Sequence, residues 1–479
     1  MLVILACAVH LPFLNHPFFL DDHIWYRFAL NHSWSEVFAR ALWQGEGQHY
    51  SPLAQLLILA PLKLTGGSFI GTYLFGWVIH TVAALSVYRF CRHFFSDRFG
   101  AVAAACLWAL HPLQVLPVHF VTAYFVPAGI ACALNAMVAM SRHTAAGSRG
   151  DLAQALVLAL GAYGLSEFFI LVPGYYVLLR VLVTGQRIFP ALAGAFKLVL
   201  PAFLIIGGWL AFASGESHLT GKIAVLGYSA TQYLANWSAL ASWAVSRLVV
   251  PWDPVYVKNI PLHAPAAVYW MGLGIVGGMS AAVVVFLRGI SPAVRVAVGW
   301  MLLGLAPTLV TCFVHAASGM VFELHWLGLA LVPCYALPAL VCTDISRRRT
   351  PAKAVMAAMI LILPLTALTL REVAFWQDEE RYSTRWLAVS PGNHLALISL
   401  AQQQERRGDI DAALRSVDLM STTTAIPRHI VELMRGQILL RAGRPSEAAR
   451  HFEAALRHKP DLSDARVGLR QARAALPLP

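Results

Sequence analysis

The sequence predicts an all-α membrane protein. A polytopic bundle of about eleven transmembrane helices, residues 1–376, is followed by a linker at 377–390 and a small domain of helical repeats at 391–479. Composition is the first reason: 58% of the residues are hydrophobic, the mean hydropathy is +0.62 and 13% are charged, against about 25% in soluble domains. Charge distribution is the second, because charged residues are scarce up to about Phe375 and dense after Gln377. The chain is therefore expected to meet lipid first and water afterwards.

Eleven apolar runs approach the roughly 20 residues that a helix needs to cross a bilayer. They fall at 1–19, 69–91, 99–117, 123–141, 151–166, 168–183, 190–213, 264–287, 292–314, 323–343 and 352–375. The stretches 51–64 and 228–250 are broken by polar or aromatic residues, which predicts interfacial or re-entrant helices. The first run has neither a positive segment before it nor a small-residue cleavage site. We therefore expect a first span, or a start inside a longer gene, rather than a removable signal peptide.

Lysine and arginine residues predict which way the bundle faces. Thirteen of them lie in short loops on one side, and six lie in the longer loops on the other side before the C-terminal domain. This bias assigns the short loops to the cytoplasm. With eleven crossings, the external loops 15–68 and 214–263 and the repeat domain all face away from the cytoplasm. The Arg- and Ala-rich composition indicates a bacterium, so we expect an inner-membrane protein with these parts in the periplasm.

Composition argues against several classes of function. The net charge is +12, but the basic residues sit at the ends of apolar segments and form no patch interleaved with aromatic residues, which argues against nucleic-acid binding. The seven cysteines lie in or beside apolar segments without zinc spacing, and are expected to be small buried hydrophobes. No metal-binding set occurs at helical spacing, so no metal cofactor is indicated, although a divalent ion stays possible.

Small, turn-forming and bulky residues recur at a fixed spacing in the C-terminal domain. The second unit has them at Gly436, Gly443, Ala448, Phe452, Ala455 and Pro460, and the first has them at Ala401, Gly408 and Ala413. The two units are 35 residues apart, close to the period of about 34 in tetratricopeptide repeats. A third helix at about 462–475 is expected to cap the open end. Because about three repeats are normally needed, we expect this domain to dock on the membrane domain.

Two adjacent carboxylates, Asp21 and Asp22, follow the first apolar run among aromatic residues. Paired carboxylates at a membrane surface are costly unless they are solvated or partnered. One interpretation is a general base presented just outside the bilayer. The alternative is structural, with Asp22 capping a helix that starts at His23.

Residues of the same external loop have further interpretations. Ser33 and Glu36 fit a capping box at the start of a short surface helix. His49 and Tyr50 precede a helix that Pro52 would begin, where they would line a site.

Polar residues within or beside the predicted spans raise the free energy of insertion into the bilayer, and they usually face a cavity or a partner. They are His80, His111, Glu167, Glu323 and His325. A lone histidine in a span is more often a helix-packing donor than a ligand. His111 before Pro112 predicts a kink or the end of a span. Asp253, in a Pro-Trp-Asp-Pro turn, is expected to be a turn acceptor.

Several segments, in order along the chain, resemble the transmembrane and tetratricopeptide-repeat-containing O-mannosyltransferases and their bacterial relatives in the GT-C superfamily of glycosyltransferases. The segments are Asp21-Asp22, His49-Tyr50-Ser51-Pro52, His80, His111-Pro112, Ser166-Glu167, Pro251-Trp252-Asp253, Glu323-Leu324-His325-Trp326, Phe375-Trp376-Gln377-Asp378-Glu379 and Pro391-Gly392-Asn393. Their common order, rather than any single motif, carries the resemblance, and it covers nearly the whole chain.

The resemblance implies an inverting enzyme that takes a sugar from a polyprenyl-phosphate donor in the membrane lipid. The acceptor would be a protein or glycan on the non-cytoplasmic face, held by the repeats. The resemblance implies that Asp21 is the base, with Asp22 beside it. A lipid phosphate is already a good leaving group, so one carboxylate is enough. The expected substrate contacts are His49, Tyr50, Glu167, Glu323, His325, Arg27 and Arg247. Among them, Arg27, Arg247 and His325 are candidate cations for binding the phosphate.

The chain departs from the family pattern at three cations. Ser166 and Ser51 stand where the family usually has Lys and Arg, and Leu324-His325 stands where it has an Arg near the glutamate. A different donor or a degenerate enzyme therefore stays open. So do two other classes: a non-enzymatic membrane-anchored scaffold whose repeats recruit partners, and an enzyme resembling O-antigen ligases or polymerases, for which loop 214–263 would supply arginine and histidine.

Overall fold

The computed structural model of the chain describes residues 1–44, 51–95, 97–212, 228–260, 292–312, 318–424 and 426–476. Most of these residues are helical, in agreement with the predicted all-α class. Up to the last apolar run, the α-helices are Leu2–Cys7, Asp22–Asn31, Trp34–Ala39, Pro52–Leu64, Phe69–Phe94, Arg98–Ala109, Leu116–His119, Phe125–Ala146, Arg149–Leu165, Val172–Leu182, Ile188–Val199, Ala202–Phe212, Ala230–Val249, Pro292–Leu305, Thr308–Thr311, Val332–Arg348 and Pro351–Phe375. After it they are Glu379–Val389, His394–Arg406, Ile410–Thr423, Arg428–Arg441, Pro445–His458 and Ser463–Ala474.

Four of the described helices are long and apolar enough to cross a membrane, and a bent pair raises this number to five. They are Phe69–Phe94, Val121–Ala146, Ile188–Gly208 and Pro351–Phe375, with the bent pair Arg98–Ala109 and Pro112–His119. These helices make the chain a membrane protein. Other predicted runs form shorter apolar helices, such as Leu2–Phe13 and Pro292–Leu305, and the run at 264–287 lies outside the described residues. The count of eleven therefore stays a prediction.

The predicted kink at His111-Pro112 is confirmed. The two halves of the bent pair meet at 62°, since Pro112 has no N–H with which to continue a helix. The polar groups at this break find partners in the protein, as groups inside a bilayer must. Thr369 of the last long helix donates to the Leu110 carbonyl at 2.6 Å, and the His111 Nε2 lies 3.0 Å from the Leu248 carbonyl.

Small residues let the central helices approach closely. The Ala-rich helix Phe125–Ala146 is largely buried inside the bundle. A Cβ added at Gly76 would lie 2.5 Å from the Tyr124 ring, and one added at Gly129 would lie 2.0 Å from the Phe169 ring. Close approach of this kind supplies the van der Waals contact that holds helices together in lipid, because the hydrophobic effect does not drive helices together there.

The predicted span 1–19 is helical over Leu2–Phe13 only. A stretch without regular structure then leads to the helix Asp22–Asn31, which we call the external helix. The capping box that follows is confirmed. Ser33 accepts from the Glu36 N–H while the Glu36 side chain accepts from the Ser33 N–H.

A short antiparallel ribbon interrupts the helical fold. Val257–Ile260 pairs with Met320–Glu323, and Val257 stands opposite Glu323. The predicted span at 323–343 is therefore wrong at its start, because Glu323 ends a strand and the next α-helix begins at Val332. The ribbon satisfies backbone groups that would otherwise be buried without partners.

The segment 377–390, predicted to be a linker, is largely helical. It contains the helix Glu379–Val389, which we call the connecting helix, and Asp378 caps its first N–H groups. Trp386 of this helix is fully buried and donates to the Val257 carbonyl at 2.6 Å. The connecting helix is thus packed against the ribbon. Its many charged residues gave no indication of this packing in the sequence.

Five more helices complete the C-terminal part, each packed on the one before it. Phe452 fills the space between Gly436 and Gly468, where added Cβ atoms would lie 2.7 and 2.5 Å from its ring. The predicted last helix is confirmed at Ser463–Ala474. Gly436 and Phe452, two of the positions noted in the sequence, are therefore in contact, and the tetratricopeptide-repeat assignment stays a prediction.

Candidate functional site

The external helix begins at a strained turn, Leu20–Asp22, which we call the external turn. Leu20 has φ +45°, a left-handed conformation that is costly for a bulky residue. Its N–H donates to Glu379 Oε1 of the connecting helix at 3.4 Å. Asp21 follows as the N-cap residue and is exposed. Strained backbone concentrates at functional sites, so this turn is the first part of the candidate site.

The second carboxylate of the turn has different surroundings. Asp22 is fully buried and accepts from the Val121 N–H at 3.0 Å, the Thr122 N–H at 2.9 Å and the Thr122 hydroxyl at 2.8 Å. The expectation that Asp22 caps its own helix is wrong, because its partners lie 99 and 100 residues away. Burial raises the pKa of Asp22 to about 7, although its hydrogen bonds oppose this shift. Of the two predicted catalytic residues, Asp21 is the one that can meet a substrate.

The negative charge of Asp21 is one of those that act on the Tyr256 phenol. Burial, together with the negative charges of Glu323 and Asp21, holds the pKa of this phenol well above its usual range, and its hydroxyl is bonded to Glu323. Glu323 Oε2 lies 3.3 Å from His325 Nδ1, and this imidazole stacks on the Tyr256 ring with centroids 5.9 Å apart. We call Asp21, Tyr256, Glu323 and His325 the acid cluster. The structure thus brings together three residues predicted from sequence, around a tyrosine that the sequence analysis missed.

A narrow cleft adjoins His325, one member of the acid cluster. His325 and Trp326 line it, as do Phe125 and Phe168 from other elements. The rings of Phe168 and Trp326 stack with centroids 5.9 Å apart. Glu167 precedes Phe168 and is exposed. The cleft is thus lined mainly by aromatic and apolar side chains, with His325 and Ser166 as its polar members.

The structure gives the other predicted cations different surroundings. Arg27 is exposed on the external helix. Arg247 donates to the Trp252 carbonyl and to the Ser246 hydroxyl, which ties it to the end of its own helix. Two predicted substrate contacts, His49 and Tyr50, lie outside the described residues. So do His218 and His263, the histidines of the loop 214–263 that the ligase alternative would use.

A cation that sequence analysis missed lies near the C-terminal end of the last long helix. Arg371 donates to Asp253 at 2.8 Å, and its guanidinium is 3.9 Å from the Trp252 ring centroid. Asp253, expected to be a turn acceptor, instead accepts from this distant arginine, and its own φ is +47°. Nearby, Arg385 of the connecting helix forms a bidentate pair with Glu372, both bonds at 2.6 Å. Basic residues that end an apolar run are usual in any membrane protein, so sequence alone did not distinguish Arg371.

Three buried histidines form a hydrogen-bonded chain. His16 Nδ1 lies 2.9 Å from the Pro17 carbonyl, which can only accept, so this nitrogen carries the hydrogen. In neutral rings, His16 Nε2 then accepts from His119 Nδ1 at 3.0 Å, and His119 Nε2 accepts from His10 Nδ1 at 3.1 Å. His80 packs against His10 with ring centroids 5.3 Å apart. Of these four, sequence analysis singled out His80 alone, because His10 and His16 lie more than 100 residues from His119, to which they bond.

Chemically, the acid cluster offers a carboxylate that solvent can reach and an imidazole beside a second carboxylate. Asp21 is exposed, and His325 Nδ1 lies 3.3 Å from Glu323 Oε2. Within the described ranges, no group of three or more His, Cys, Asp or Glu side chains is placed to hold a metal ion.

Comparison with known proteins does not assign the chain to a family. No protein-family model matches the chain, and no curated protein shows significant similarity to it. A functional interpretation therefore has to come from the residues and their geometry.

Proposed function

We propose that the chain is an inverting glycosyltransferase of GT-C type, which moves a sugar from a polyprenyl-phosphate donor to a hydroxyl of a protein or glycan acceptor. One observation supports this most directly: the exposed Asp21, on a strained turn after the first apolar helix, lies by Tyr256 and the Glu323–His325 pair. An aromatic cleft adjoins these groups. A base and a cation beside such a cleft suit sugar transfer from a lipid phosphate.

In the proposed reaction, Asp21 accepts the proton of the acceptor hydroxyl as the hydroxyl oxygen attacks the anomeric carbon. The bond between that carbon and the phosphate oxygen breaks, and the lipid phosphate leaves with the electron pair on the opposite face, so the configuration inverts. Phosphate needs no proton to leave, and a second carboxylate acid is therefore unnecessary, unlike in a glycosidase. A positioned base contributes roughly 10²- to 10⁴-fold to the rate.

We assign the leaving phosphate to His325 rather than to Arg27 or Arg247. The His325 side chain lines the cleft, and its Nδ1 lies 3.3 Å from Glu323 Oε2, a carboxylate oxygen that can accept a hydrogen bond from the ring. Tyr256, bonded to the same glutamate, keeps that pair in one orientation. A charged imidazolium at this place would stabilise the developing negative charge of the phosphate.

The proposal includes the finer topology: eleven crossings, with the external turn and a tetratricopeptide-repeat domain in the periplasm of a bacterium. Contacts between the N-terminal segment and the start of the C-terminal part support a common side for both. Gln377 donates to the Phe13 carbonyl at 3.0 Å, and Trp376 packs on Phe19 with ring centroids 5.1 Å apart. A soluble domain that adjoins the external turn shares its side of the membrane, and can present an acceptor to Asp21.

Substitution of Asp21 tests the proposal. In a strain that lacks the gene, wild type, Asp21→Asn and the control Asp411→Asn are expressed at matched membrane levels, and the glycans that the deletion removes are measured by mass spectrometry. Asp411 is an exposed carboxylate of the repeat helices. We expect Asp21→Asn to lower transfer by at least about 100-fold and Asp411→Asn to restore it. Full restoration by Asp21→Asn would contradict catalysis and favour the scaffold alternative.

The donor lipid separates the proposal from the ligase alternative. Cells with Asp21→Asn should accumulate the unused donor, which can be extracted and analysed by mass spectrometry. A monosaccharide on polyprenyl monophosphate agrees with the proposal. An oligosaccharide on a diphosphate would instead indicate an enzyme of the O-antigen ligase or polymerase type.

A further inference from the structure

One buried carboxylate joins the external turn to the C-terminal helices. Glu379, the first residue of the connecting helix, is 4% exposed. Its Oε1 accepts from the Leu20 N–H at 3.4 Å and from the Ser399 hydroxyl at 2.7 Å. Its Oε2 accepts from Gln403 and, at 3.2 Å, from Arg406. The same side chain therefore binds the strained turn on one side and the helix His394–Arg406 on the other.

A second contact runs beside the first. Arg406 also lies 3.2 Å from His23 Nε2, and Glu379 Oε2 lies 3.7 Å from the same nitrogen. His23 is in the first turn of the external helix, directly after the two carboxylates. A left-handed leucine persists only where its surroundings over-determine it, and the surroundings here include residues of the C-terminal helices.

We infer that Glu379 is a positioning residue for the proposed base. It holds Leu20 in its strained conformation, so that Asp21 keeps its place in the acid cluster, and it passes any displacement of the helix His394–Arg406 to the external turn. An acceptor bound on the repeat helices thereby controls the placement of the base. The catalytic meaning of this inference rests on the proposed function, whereas the mechanical coupling does not.

Hydrogen exchange measures the coupling without an assay of transfer. Full-length protein in lipid nanodiscs is compared with Glu379→Ala and with the matched control Glu380→Ala. Glu380 is the next residue and pairs with Arg407 of the same repeat helix at 2.5 Å. We expect the peptide that contains Leu20 to exchange at least about 10-fold faster in Glu379→Ala and within about twofold of wild type in Glu380→Ala. Wild-type exchange in Glu379→Ala would overturn the coupling.

A conservative variant separates positioning from bulk stability. Glu379→Gln keeps an oxygen for the Leu20 N–H, so it should recover much of the exchange protection and of the transfer measured in the complemented strain. We expect Glu379→Ala to lose at least about 10-fold in transfer, Glu379→Gln to be intermediate, and Glu380→Ala to match wild type. If exchange at the turn rises while transfer stays at the wild-type level, the positioning role is wrong.

The pair Arg406→Ala and Arg407→Ala repeats the test from the repeat side if Glu379→Ala does not accumulate in membranes. Arg406 contacts both Glu379 and His23, whereas Arg407 pairs with Asp378 and Glu380. Only the first should loosen the external turn. The two proposals can fail separately: full transfer by Asp21→Asn counts against the enzyme and leaves the exchange result standing, whereas equal exchange in Arg406→Ala and Arg407→Ala counts against the coupling alone.

Discussion

Two polar regions meet at the external turn, and they differ in how far they are sealed from solvent. The acid cluster contains the exposed Asp21 and borders a cleft. The buried network is made of two separate sets of hydrogen bonds: Asp22 accepts three, from Val121 and Thr122, and the three histidines bond to one another. Two aspartates adjacent in sequence thus belong to different environments. Because the external helix begins between them, one points into the bundle and the other does not.

The difference teaches that a buried polar residue can determine a site without touching its substrate. Asp22 fixes the start of the external helix to the 121–122 segment, and Asp21 takes its position from that attachment. Saturated buried networks give rigidity and a unique arrangement, whereas the exposed carboxylate next to a cleft remains able to exchange a proton. Substitutions in the buried network should therefore change stability, and substitutions in the acid cluster should change transfer.

The largest effect on stability is expected for Asp22→Ala. This substitution leaves the Val121 and Thr122 N–H groups buried without their acceptor, which costs about 3 kcal/mol or more. Asp21→Ala is the matched control, since substitution of an exposed residue usually changes stability by at most about 0.5 kcal/mol. Unfolding of the purified protein in detergent, followed by tryptophan fluorescence, measures both. Equal stabilities of the two variants would remove the distinction drawn between the carboxylates.

A smaller loss is expected for His119→Phe. His119 is the central ring of the histidine chain, so its loss leaves His10 Nδ1 and His16 Nε2 without their hydrogen-bond partner, at a cost of about 2 kcal/mol. His80→Phe is the control, because His80 packs by its ring on Trp108 with centroids 5.0 Å apart, and phenylalanine preserves that contact. The same unfolding assay applies. A larger loss in His80→Phe than in His119→Phe would contradict the hydrogen-bonded chain.

Local signals predicted much of the fold. Long apolar runs gave the helices Phe69–Phe94 and Pro351–Phe375, proline after His111 gave the bend, and the Ser33 capping box was read from four consecutive residues. Each depends on residues within one helix or one turn. The ribbon was not predicted, because its strands are four residues long and pair across about sixty residues.

The site was predictable only in part, for the same reason. Asp21, Glu323 and His325 were identified as polar residues at the ends of apolar runs, and the fold brings them together. The partners that define their roles are distant: Thr122 for Asp22, and Glu379 for Leu20. Glu379 lies in a charged stretch whose composition resembles that of any soluble helix. A single sequence carries no local mark of such contacts.

The last expected effect is a dependence of stability on pH. Burial raises the pKa of Asp22 from an ordinary value of 3.8 to about 7, so between these values the folded protein holds a proton that the unfolded chain has released. Stability should therefore fall as the pH rises through this window, by at most about 1.4 kcal/mol per pH unit. Unfolding at pH 5, 6 and 7 measures the slope. Asp22→Asn cannot ionise and should flatten it, while Asp21→Asn should keep it. A slope that persists unchanged in Asp22→Asn would assign the titration to another group, and would mean that the Asp22 carboxyl ionises at its ordinary pH despite being sealed inside the bundle.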